Sequence, residues 1–343
     1  MHPERAPSLI TASMPVDFRC RICNGPLGPA LTVREMMYGT RAEFDYHQCH
    51  DCACLQISEI PEDIEKYYPE SYYSFRINPK RKHWLRDITR KIRNLYAIEG
   101  NKLLGAFLCA LKAPAPIFEV YGRVGLNRRD SVLDVGGGGG GHVRVLRAIG
   151  FNEALAIDPF IEADVTLDGQ LLAKKASIFD VTATYNLITF HHSLEHMDQQ
   201  LAVLKKARSL LSKDGKILIR IPTVSSEAFD NYGANWSDLD APRHFYLHSH
   251  KSISLLAESA GLQILDLWCD SVPFQFWASE QYAADIPLND PRSYSQNPEE
   301  SPFNASQIAE LEVKSRKLNN NLRGDTICVV LSATNGHGND RDV

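Results

Sequence analysis

An aspartate followed by a run of glycines is the first place where residue types indicate chemistry. The segment "LDVGGGGGGH" covers residues 133–142, with Asp134 two positions before the first of six consecutive glycines. A backbone this free of side chains can approach a bound nucleotide or anion closely, and such loops commonly join a strand to a helix. We therefore expect a nucleotide-type cofactor at this turn.

The identity of that cofactor depends on Asp134. The G-x-G-x-x-G spacing typical of an NAD-dependent oxidoreductase is present, but any run of six glycines contains it. A carboxylate at this turn repels a diphosphate and attracts a cofactor with a cationic amino-acid tail. S-adenosylmethionine (SAM) carries sulfonium and ammonium groups and no phosphate. The sequence thus favours SAM over a dinucleotide.

Four cysteines near the start of the chain are spaced to bind one metal ion. They form two C-x-x-C pairs, Cys20 with Cys23 and Cys49 with Cys52. Each two-residue turn brings two sulfurs to the same side, and four thiolates complete a tetrahedral zinc site. Because such a site leaves no open position for a substrate, we expect the zinc ion to be structural.

Other interpretations of these cysteines are unliganded buried thiols or a redox pair. A redox C-x-x-C needs a strand–helix pattern around it, which neither pair has. His50 and Cys54 lie close enough in the sequence to replace the fourth ligand. The segment between the pairs contains two strand-like runs around Tyr38 and Gly39, as expected for the hairpin of a zinc ribbon.

Histidines and acidic residues cluster in two later segments, "HHSLEH" and residues 236–248, which contain "APRHFYLH". Methyl transfer from a sulfonium is an in-line displacement, and a hydroxyl or carbon-acid acceptor must also lose a proton. We expect His244 to be the general base, because imidazole titrates near neutral pH. The other candidate catalytic residues are His192, Glu195 and Tyr246.

Two residues of the second segment have more than one interpretation. Arg243 can pair with a phosphate or carboxylate of the acceptor, or form an ion pair within the protein. Trp236 can stack on a sugar or nucleobase, or be buried in the core. After Cys269 an insertion precedes the last strand, and its Phe274, Phe276 and Trp277 are candidates to line the acceptor pocket.

The elements that must position these residues alternate between strand and helix after residue 125. Strand-like runs "SVLDV", "EALAID", "ASIFD", "YNLITF" and "GKILIRIP" are separated by helical segments. This pattern predicts an α/β fold with a Rossmann-like, seven-stranded, mostly parallel sheet and helices on both faces. Ligands in such sheets bind beyond the carboxyl ends of the strands, which is where the glycines fall.

The length of 343 residues predicts a main domain with a smaller appendage. The predicted division is a flexible N-terminus (1–17), a zinc ribbon (18–60), a connector and helical cap (61–125), the SAM-binding core (126–270), an insertion or lid over the acceptor site (271–325), a final strand (326–334) and a disordered tail (335–343).

In this region the sequence resembles the class I SAM-dependent methyltransferases. Their first motif is matched by Asp134, Gly136, Gly138 and Gly140. The resemblance implies that Asp158 in "LAIDP" binds the ribose hydroxyls, that Asp180 in "SIFD" contacts adenine, and that His191 belongs to the cofactor site. Asn186 stands where these enzymes more often have aspartate.

A closer resemblance is to zinc-ribbon-bearing methyltransferases related to the sugar C-methyltransferases and to enzymes encoded with polysaccharide genes. It rests on the C-x-x-C pairs, the connector "YYPESYYSF", the SAM domain and the segment Trp236–Gly261. The resemblance implies a small glycosidic or nucleotide-linked acceptor. His192, Glu195 and His196 also resemble the Glu-x-x-Glu-His cluster of ubiquinone-pathway O-methyltransferases, which can bind a divalent cation, although His192 replaces the first glutamate.

Charge and hydropathy limit the partners. The net charge of -5 argues against a nucleic-acid partner, although a zinc-finger RNA methyltransferase is an alternative. Residues 76–93 contain eight Lys or Arg against Asp87 alone, on an amphipathic helix that can cover the domain or contact an anionic surface. The sequence shows neither a signal peptide nor an apolar span, so we expect a cytoplasmic protein with reduced cysteines.

Overall fold

A computed structural model of the chain describes residues 19–69, 84–100 and 103–334. The expected flexible start at residues 1–17 and the expected disordered tail at residues 335–343 lie outside the described residues. Residues 76–83 of the basic segment do so too, and of residues 84–87 only the backbone is described.

The elements follow one another in this order along the chain. The strands are β1 (Leu27–Arg34), β2 (Glu43–Cys49), β3 (Leu55–Ile57), β4 (Val132–Val135), β5 (Ala154–Ile157), β6 (Val165–Leu167), β7 (Gln170–Lys174), β8 (Tyr185–His191), β9 (Leu211–Pro222), β10 (Tyr246–Leu247), β11 (Leu262–Cys269) and β12 (Thr326–Ala333). The α-helices are α1 (Trp84–Glu99), α2 (Leu103–Leu111), α3 (Pro116–Val124), α4 (Gly141–Ile149), α5 (Gln200–Ser209), α6 (Glu227–Tyr232), α7 (His250–Ser259), α8 (Phe274–Ala283) and α9 (Ala305–Asn320).

The main sheet confirms the predicted α/β fold class. Its strand order is β11-β12-β9-β8-β4-β5-β7-β6, and the five central strands from β9 to β7 run parallel. Buried apolar side chains fill both faces, as expected when helices cover a parallel sheet on both sides. The carboxyl ends of β4, β5 and β8 therefore meet at one edge.

The third parallel strand is not where the sequence analysis placed it. The predicted strand "ASIFD" is a loop with a 3-10 turn at Ile178–Asp180, and β7 at Gln170–Lys174 takes the sheet position instead. An antiparallel hairpin adds β6 as an eighth, edge strand, and its turn residues Asp168 and Gly169 both have positive φ. An Asp-Gly pair between two short apolar runs is a strong hairpin signal that could have located it.

The N-terminal ribbon is joined to the main domain by a shared sheet. Its strand order is β1-β2-β3-β10, and β10 comes from the segment after β9. The shared apolar core contains Tyr46 and Leu55 of the ribbon together with Trp236 and Leu247. The ribbon is therefore built into the same body as the acceptor-side segment, rather than being a separate appendage.

Helices α1 and α3 pack in the apolar cluster that contains β4 and β5, while α2 packs on α1. Residues 271–325 between β11 and β12 carry α8 and α9. Helix α7, which follows β10, begins at a Ser249 capping box that fixes its first turn. Within the described ranges, no helix is long and apolar enough to cross a membrane.

Candidate active site

The glycine run forms the turn between β4 and α4. Gly136, Gly138 and Gly140 have φ values of 72°, 52° and 79°, which favour glycine over other residues. A Cβ on Gly137 would lie 2.6 Å from Oδ2 of Asp134. The loop thus needs glycine for its conformation at alternate positions and for its close approach to Asp134.

Asp134 lies under this loop with one carboxylate oxygen lacking a donor. The side chain is buried, and its Oδ1 accepts a hydrogen bond of 2.8 Å from Thr189 Oγ1. Among the described residues nothing donates to Oδ2. Burial raises the pKa of Asp134 to about 7. A cation brought to the loop stabilises the ionised form of this buried carboxylate.

Asp158 at the end of β5 ties the second strand to the glycine loop. Its carboxylate accepts hydrogen bonds from the backbone N–H of Gly138 at 3.0 Å and of Phe160 at 2.8 Å. Each carboxylate oxygen has a further lone pair, so the group can also accept from ligand hydroxyls. Burial raises the pKa of Asp158. This geometry suits the ribose contact that the sequence predicts.

The other two predicted cofactor residues differ in environment. Asp180 is exposed, and its carboxylate caps the 3-10 turn by accepting from Ser177 N at 2.9 Å. His191 is buried at the end of β8, where its ring stacks on His142 with centroids 4.5 Å apart. Its Nε2 lies 3.0 Å from Tyr121 Oη. Burial lowers the pKa of His191 well below its usual value, so this imidazole is neutral.

Asn186 has a structural role in β8. Its side-chain oxygen accepts from the backbone N–H and the hydroxyl of Ser131, and its amide donates to Ser212 Oγ. The residue thus fixes the start of β8 against β4 and β9, below the loops that form the site.

A cavity of about 250 Å³ opens beside the ends of β8 and β9. Most residues that line it come from the turn after β8, the segment before β10 and the insertion after β11, and the ribbon, β9 and β12 add one residue each. They are Met37, His192, His196, Arg220, Ser237, Asp238, Asp240, His244, Val272, Phe274, Gln275, Leu288, Asp325 and Thr326. This cavity, called the acceptor cleft below, brings together both histidine-rich segments.

Glu195 lies beneath the acceptor cleft and is surrounded by histidines. Its side chain is fully buried, and neither oxygen has a hydrogen-bond partner among the described residues. The Nδ1 of His192 is 3.5 Å from Oε1, and the Nε2 of His244 is 4.0 Å away. Burial raises the pKa of Glu195, but His192, His196 and His244 outweigh it and hold the pKa at about 2. The site therefore contains a buried, ionised carboxylate.

His244 is oriented with one ring nitrogen toward this carboxylate. Its Nδ1 lies 2.7 Å from the carbonyl oxygen of Asp238, so Nδ1 carries the hydrogen and donates. Its Nε2 faces Glu195 and, at 3.8 Å, Asp240. The ring is thus positioned to accept a proton at Nε2 with two carboxylates nearby.

His196 is held in the same way. Its Nδ1 lies 2.7 Å from the carbonyl oxygen of Arg243, which leaves its Nε2 without a hydrogen. Ligand atoms of Glu195, His196 and His244 lie within 4.8 Å of one another. All three groups can offer lone pairs, so a divalent cation can be held here.

Three predicted residues of the second segment are used by the protein itself. Arg243 is fully buried, and its guanidinium pairs with Glu35 at 3.1 Å and with Asp240. Trp236 is buried and donates from Nε1 to Asp325 at 3.1 Å. Tyr246 lies in β10 of the ribbon sheet and donates to the backbone oxygen of Asp198. Tyr246 does not line the acceptor cleft described above.

The structure adds cleft residues that the sequence analysis did not select. Arg220 on β9 contacts Asp270 and His192, and the carboxylates of Asp238 and Asp325 also line the cleft. A charged residue inside the apolar strand "KILIRIP" is a signal that could have pointed to Arg220. Of the predicted aromatic residues, only Phe274 lines the cleft, while Phe276 and Trp277 are buried.

The four predicted cysteines of the ribbon converge. Cys20 Sγ lies 3.6 Å from Cys52 Sγ, Cys23 Sγ lies 3.4 Å from Cys49 Sγ, and all four sulfurs lie within 4.8 Å of one another. Zn–S bonds of about 2.3 Å in a tetrahedron place sulfurs about 3.8 Å apart. The arrangement therefore fits a zinc ion. Cys54 is buried outside this group, with its Sγ directed toward the carbonyl oxygen of Leu55.

Comparison with known proteins identifies the chemistry of the main domain. Residues 110–267 match a family model described as a methyltransferase domain. No curated protein sequence matches the chain. The predicted enzyme class, a SAM-dependent methyltransferase, is confirmed, and the described glycine loop lies within the matched segment.

Several solved structures are similar in fold. One is the 1,6-didemethyltoxoflavin-N1-methyltransferase of Burkholderia thailandensis with bound S-adenosylhomocysteine, at 12% identity and a TM-score of 0.37, covering 76% of this chain and 94% of that chain. Another is a SAM-dependent methyltransferase of Mesorhizobium loti, at 12% identity and a TM-score of 0.38, covering 61% of this chain and 94% of that chain.

The position of Asp134 predicts how the cofactor site responds to loss of charge. Asp134→Asn keeps the shape of the side chain but removes the carboxylate, so we expect the Kd for SAM to rise at least about tenfold. Because burial raises the pKa of Asp134 to about 7, the affinity of the unmodified protein should fall as the pH drops below about 7. Isothermal titration calorimetry between pH 6 and pH 8 measures both effects.

Asp266→Asn provides the control, because this exposed carboxylate pairs only with Arg123 on the surface. Unchanged SAM affinity in Asp134→Asn would contradict the assignment, as would an affinity that is independent of pH.

Proposed function

We propose that the protein transfers a methyl group from SAM to a small acceptor, a sugar or nucleotide-linked sugar, bound in the acceptor cleft. The observation that carries the proposal is the orientation of His244, whose Nδ1 is held by the carbonyl oxygen of Asp238 while its Nε2 faces Glu195 and Asp240. SAM would be held by Asp134, the glycine loop and Asp158, and it supplies an electrophilic methyl group. The remaining steps belong to the residues of the cleft.

His244 would act as the general base. As the acceptor hydroxyl or carbon acid is methylated, Nε2 takes its proton, while the Nδ1 hydrogen remains on the ring and donates to the carbonyl oxygen of Asp238. The resulting imidazolium is stabilised by the nearby carboxylates of Glu195 and Asp240. The hydrogen bond from Nδ1 to a backbone carbonyl fixes the ring and keeps Nε2 directed at the reacting group. This orientation is the contribution of positioning to catalysis.

The composition of the cleft supports a polyhydroxy acceptor. Asp238 and Asp325 line it, and burial raises the pKa of both; the neighbouring charge of Asp325 raises the pKa of Asp238 further. A carboxyl pair that shares a proton can both donate to and accept from hydroxyl groups. Phe274 adds an aromatic surface on which the apolar face of a sugar ring can pack.

The same carboxylates argue against the zinc-finger RNA methyltransferase. An RNA substrate brings phosphates, which the carboxylates of the cleft would repel, and the described cleft contains Arg220 as its one arginine. Arg220 is itself paired with Asp270. Together with the net charge of -5, this favours a small acceptor over nucleic acid.

A role for His244 as general base predicts a specific loss of turnover. His244→Ala removes the proton acceptor, so we expect kcat to fall at least about 100-fold while the Kd for SAM stays unchanged. Turnover is measured by transfer of labelled methyl from SAM to a panel of nucleotide sugars and lipid-linked glycans. Separate calorimetry gives the SAM affinity.

The matched control is His250→Ala, because His250 lies at the start of α7 and does not line the cleft. A rate unchanged in His244→Ala would refute the general-base role. Failure of every sugar in the panel, with labelling of RNA instead, would refute the acceptor class.

A second candidate is a metal-assisted O-methyltransferase of the ubiquinone-pathway type. It is favoured by the convergence of Glu195, His196 and His244, whose facing atoms can all donate lone pairs to a cation. In that case His244 would be a ligand, and the cation would lower the pKa of the acceptor hydroxyl.

Metal stoichiometry separates the two candidates. If His244 is a base, inductively coupled plasma mass spectrometry should find one tightly bound metal ion per chain, the zinc ion of the four ribbon cysteines. The metal content of His196→Ala should then be the same. Two ions per chain, reduced to one in His196→Ala, would favour the metal-assisted reaction.

We further propose that Cys20, Cys23, Cys49 and Cys52 hold a structural zinc ion. The ribbon also supports the acceptor side, because the hydroxyl of Tyr46 donates to the carbonyl oxygen of His244 at 2.9 Å. Cys23→Ser should therefore abolish zinc binding and lower the Tm by more than about 5 °C, with a loss of turnover but not of SAM affinity.

Cys109→Ser is the matched control, since Cys109 is half-buried on α2 and lies outside the cluster. Metal analysis and thermal unfolding of both variants test the proposal. Full metal content and an unchanged Tm in Cys23→Ser would rule out a structural zinc at this site.

A further inference from the structure

Helix α2 exposes an unusual amount of apolar surface. Four of its nine residues are large apolar side chains that are more than half exposed: Leu103 (93%), Leu104 (57%), Phe107 (60%) and Leu111 (70%). At 100° per residue these positions fall within an arc of about 100°, so they form one continuous face. Across residues 19–69, 88–100 and 103–334, every other helix exposes at most one large apolar side chain.

The opposite side of α2 explains why this face points outward. Gly105 is buried against Tyr96 of α1, and a Cβ at Gly105 would lie 2.3 Å from the Cβ of Tyr96. Cys109 contacts the backbone oxygen of Arg93. The two helices thus form an antiparallel hairpin in which α1 covers one face of α2 and leaves the apolar face, called the α2 face below, uncovered.

The segment that carries the α2 face is rich in positive charge. Residues 76–113 contain ten Lys or Arg against Asp87 and Glu99. Of the described cations, Arg90 and Lys91 are exposed on α1, and Lys112 is exposed directly after α2. Helix α2 itself has no charged residue. An apolar face with a cationic border is complementary to the surface of an anionic bilayer.

We propose that the α2 face docks on an anionic membrane surface, with its apolar side chains inserted at the level of the lipid headgroups. A second copy of the chain fits less well, because a two-fold contact through α2 would bring two cationic segments together. A nine-residue helix is about 13 Å long, which is too short to span a bilayer but long enough to lie in its interface. This inference does not depend on the acceptor proposed above.

Vesicle sedimentation of the full-length protein tests this docking. Binding should be at least about tenfold tighter to phosphatidylcholine–phosphatidylglycerol vesicles than to phosphatidylcholine vesicles, and high salt should weaken it. The double variant Leu103→Gln/Phe107→Gln should lose most of the binding to the mixed vesicles. Lys91→Glu should reduce it without changing the apolar face.

The matched control is Leu265→Gln, since Leu265 is 51% exposed but lies on β11. Thermal unfolding checks that each variant is folded. No binding of the unaltered protein to mixed vesicles at low salt would overturn the proposal. It would also be overturned by full binding of the double variant, or by a dimer in sedimentation velocity that the double variant dissociates.

Discussion

The cofactor site depends on one buried carboxylate that the protein leaves incompletely satisfied. Asp134 ends the central strand, receives one hydrogen bond from Thr189, and points its second oxygen under a loop without side chains. Removing a carboxylate from water costs free energy unless a positive group or donor compensates. A cationic cofactor compensates here and a pyrophosphate does not, so the electrostatics of this turn select the chemistry of the whole domain.

The acceptor side is organised by a different set of buried charges, which joins the ribbon to the main domain. Arg243 lies between Glu35 of the ribbon and Asp240 of the segment before β10; Arg243 and Glu35 are fully buried, and the side chain of Asp240 is 17% exposed. Breaking such a pair leaves an uncompensated buried charge, so the segment is fixed firmly in place. His244 follows directly and is held by its neighbours rather than by the cofactor domain alone. The ribbon sheet is thereby tied to the segment that carries His244.

Local patterns in the sequence were sufficient to predict those parts of the site whose residues are close together in the chain. Asp134 and the glycines lie on one turn, and the paired C-x-x-C spacing places four sulfurs together once a hairpin forms. The pattern failed at the third strand, where Ser177 and Asp180 satisfy each other in a capped turn instead of extending into the sheet. The contact between Glu195 and His244 joins segments on two different loops, and only the tertiary fold brings them together.

For residues with two plausible roles, the structure was also needed to choose between them. A guanidinium such as that of Arg243 suits an acceptor phosphate and an internal carboxylate equally well, and composition alone does not choose. Its complete burial beside Glu35 decides for the internal pair. For helix α2 the structure decides in the other direction. Its apolar residues suit an ordinary core helix, but α1 covers only one side of it and the α2 face is exposed.

The central claim is that the Asp134 turn binds a cationic, phosphate-free cofactor. Competitive calorimetric titration of the purified protein with S-adenosylhomocysteine and with NAD⁺ tests it most directly. The account predicts saturable one-to-one binding of S-adenosylhomocysteine that SAM displaces, and no heat of binding from NAD⁺. Tight binding of NAD⁺ with no response to S-adenosylhomocysteine would contradict it.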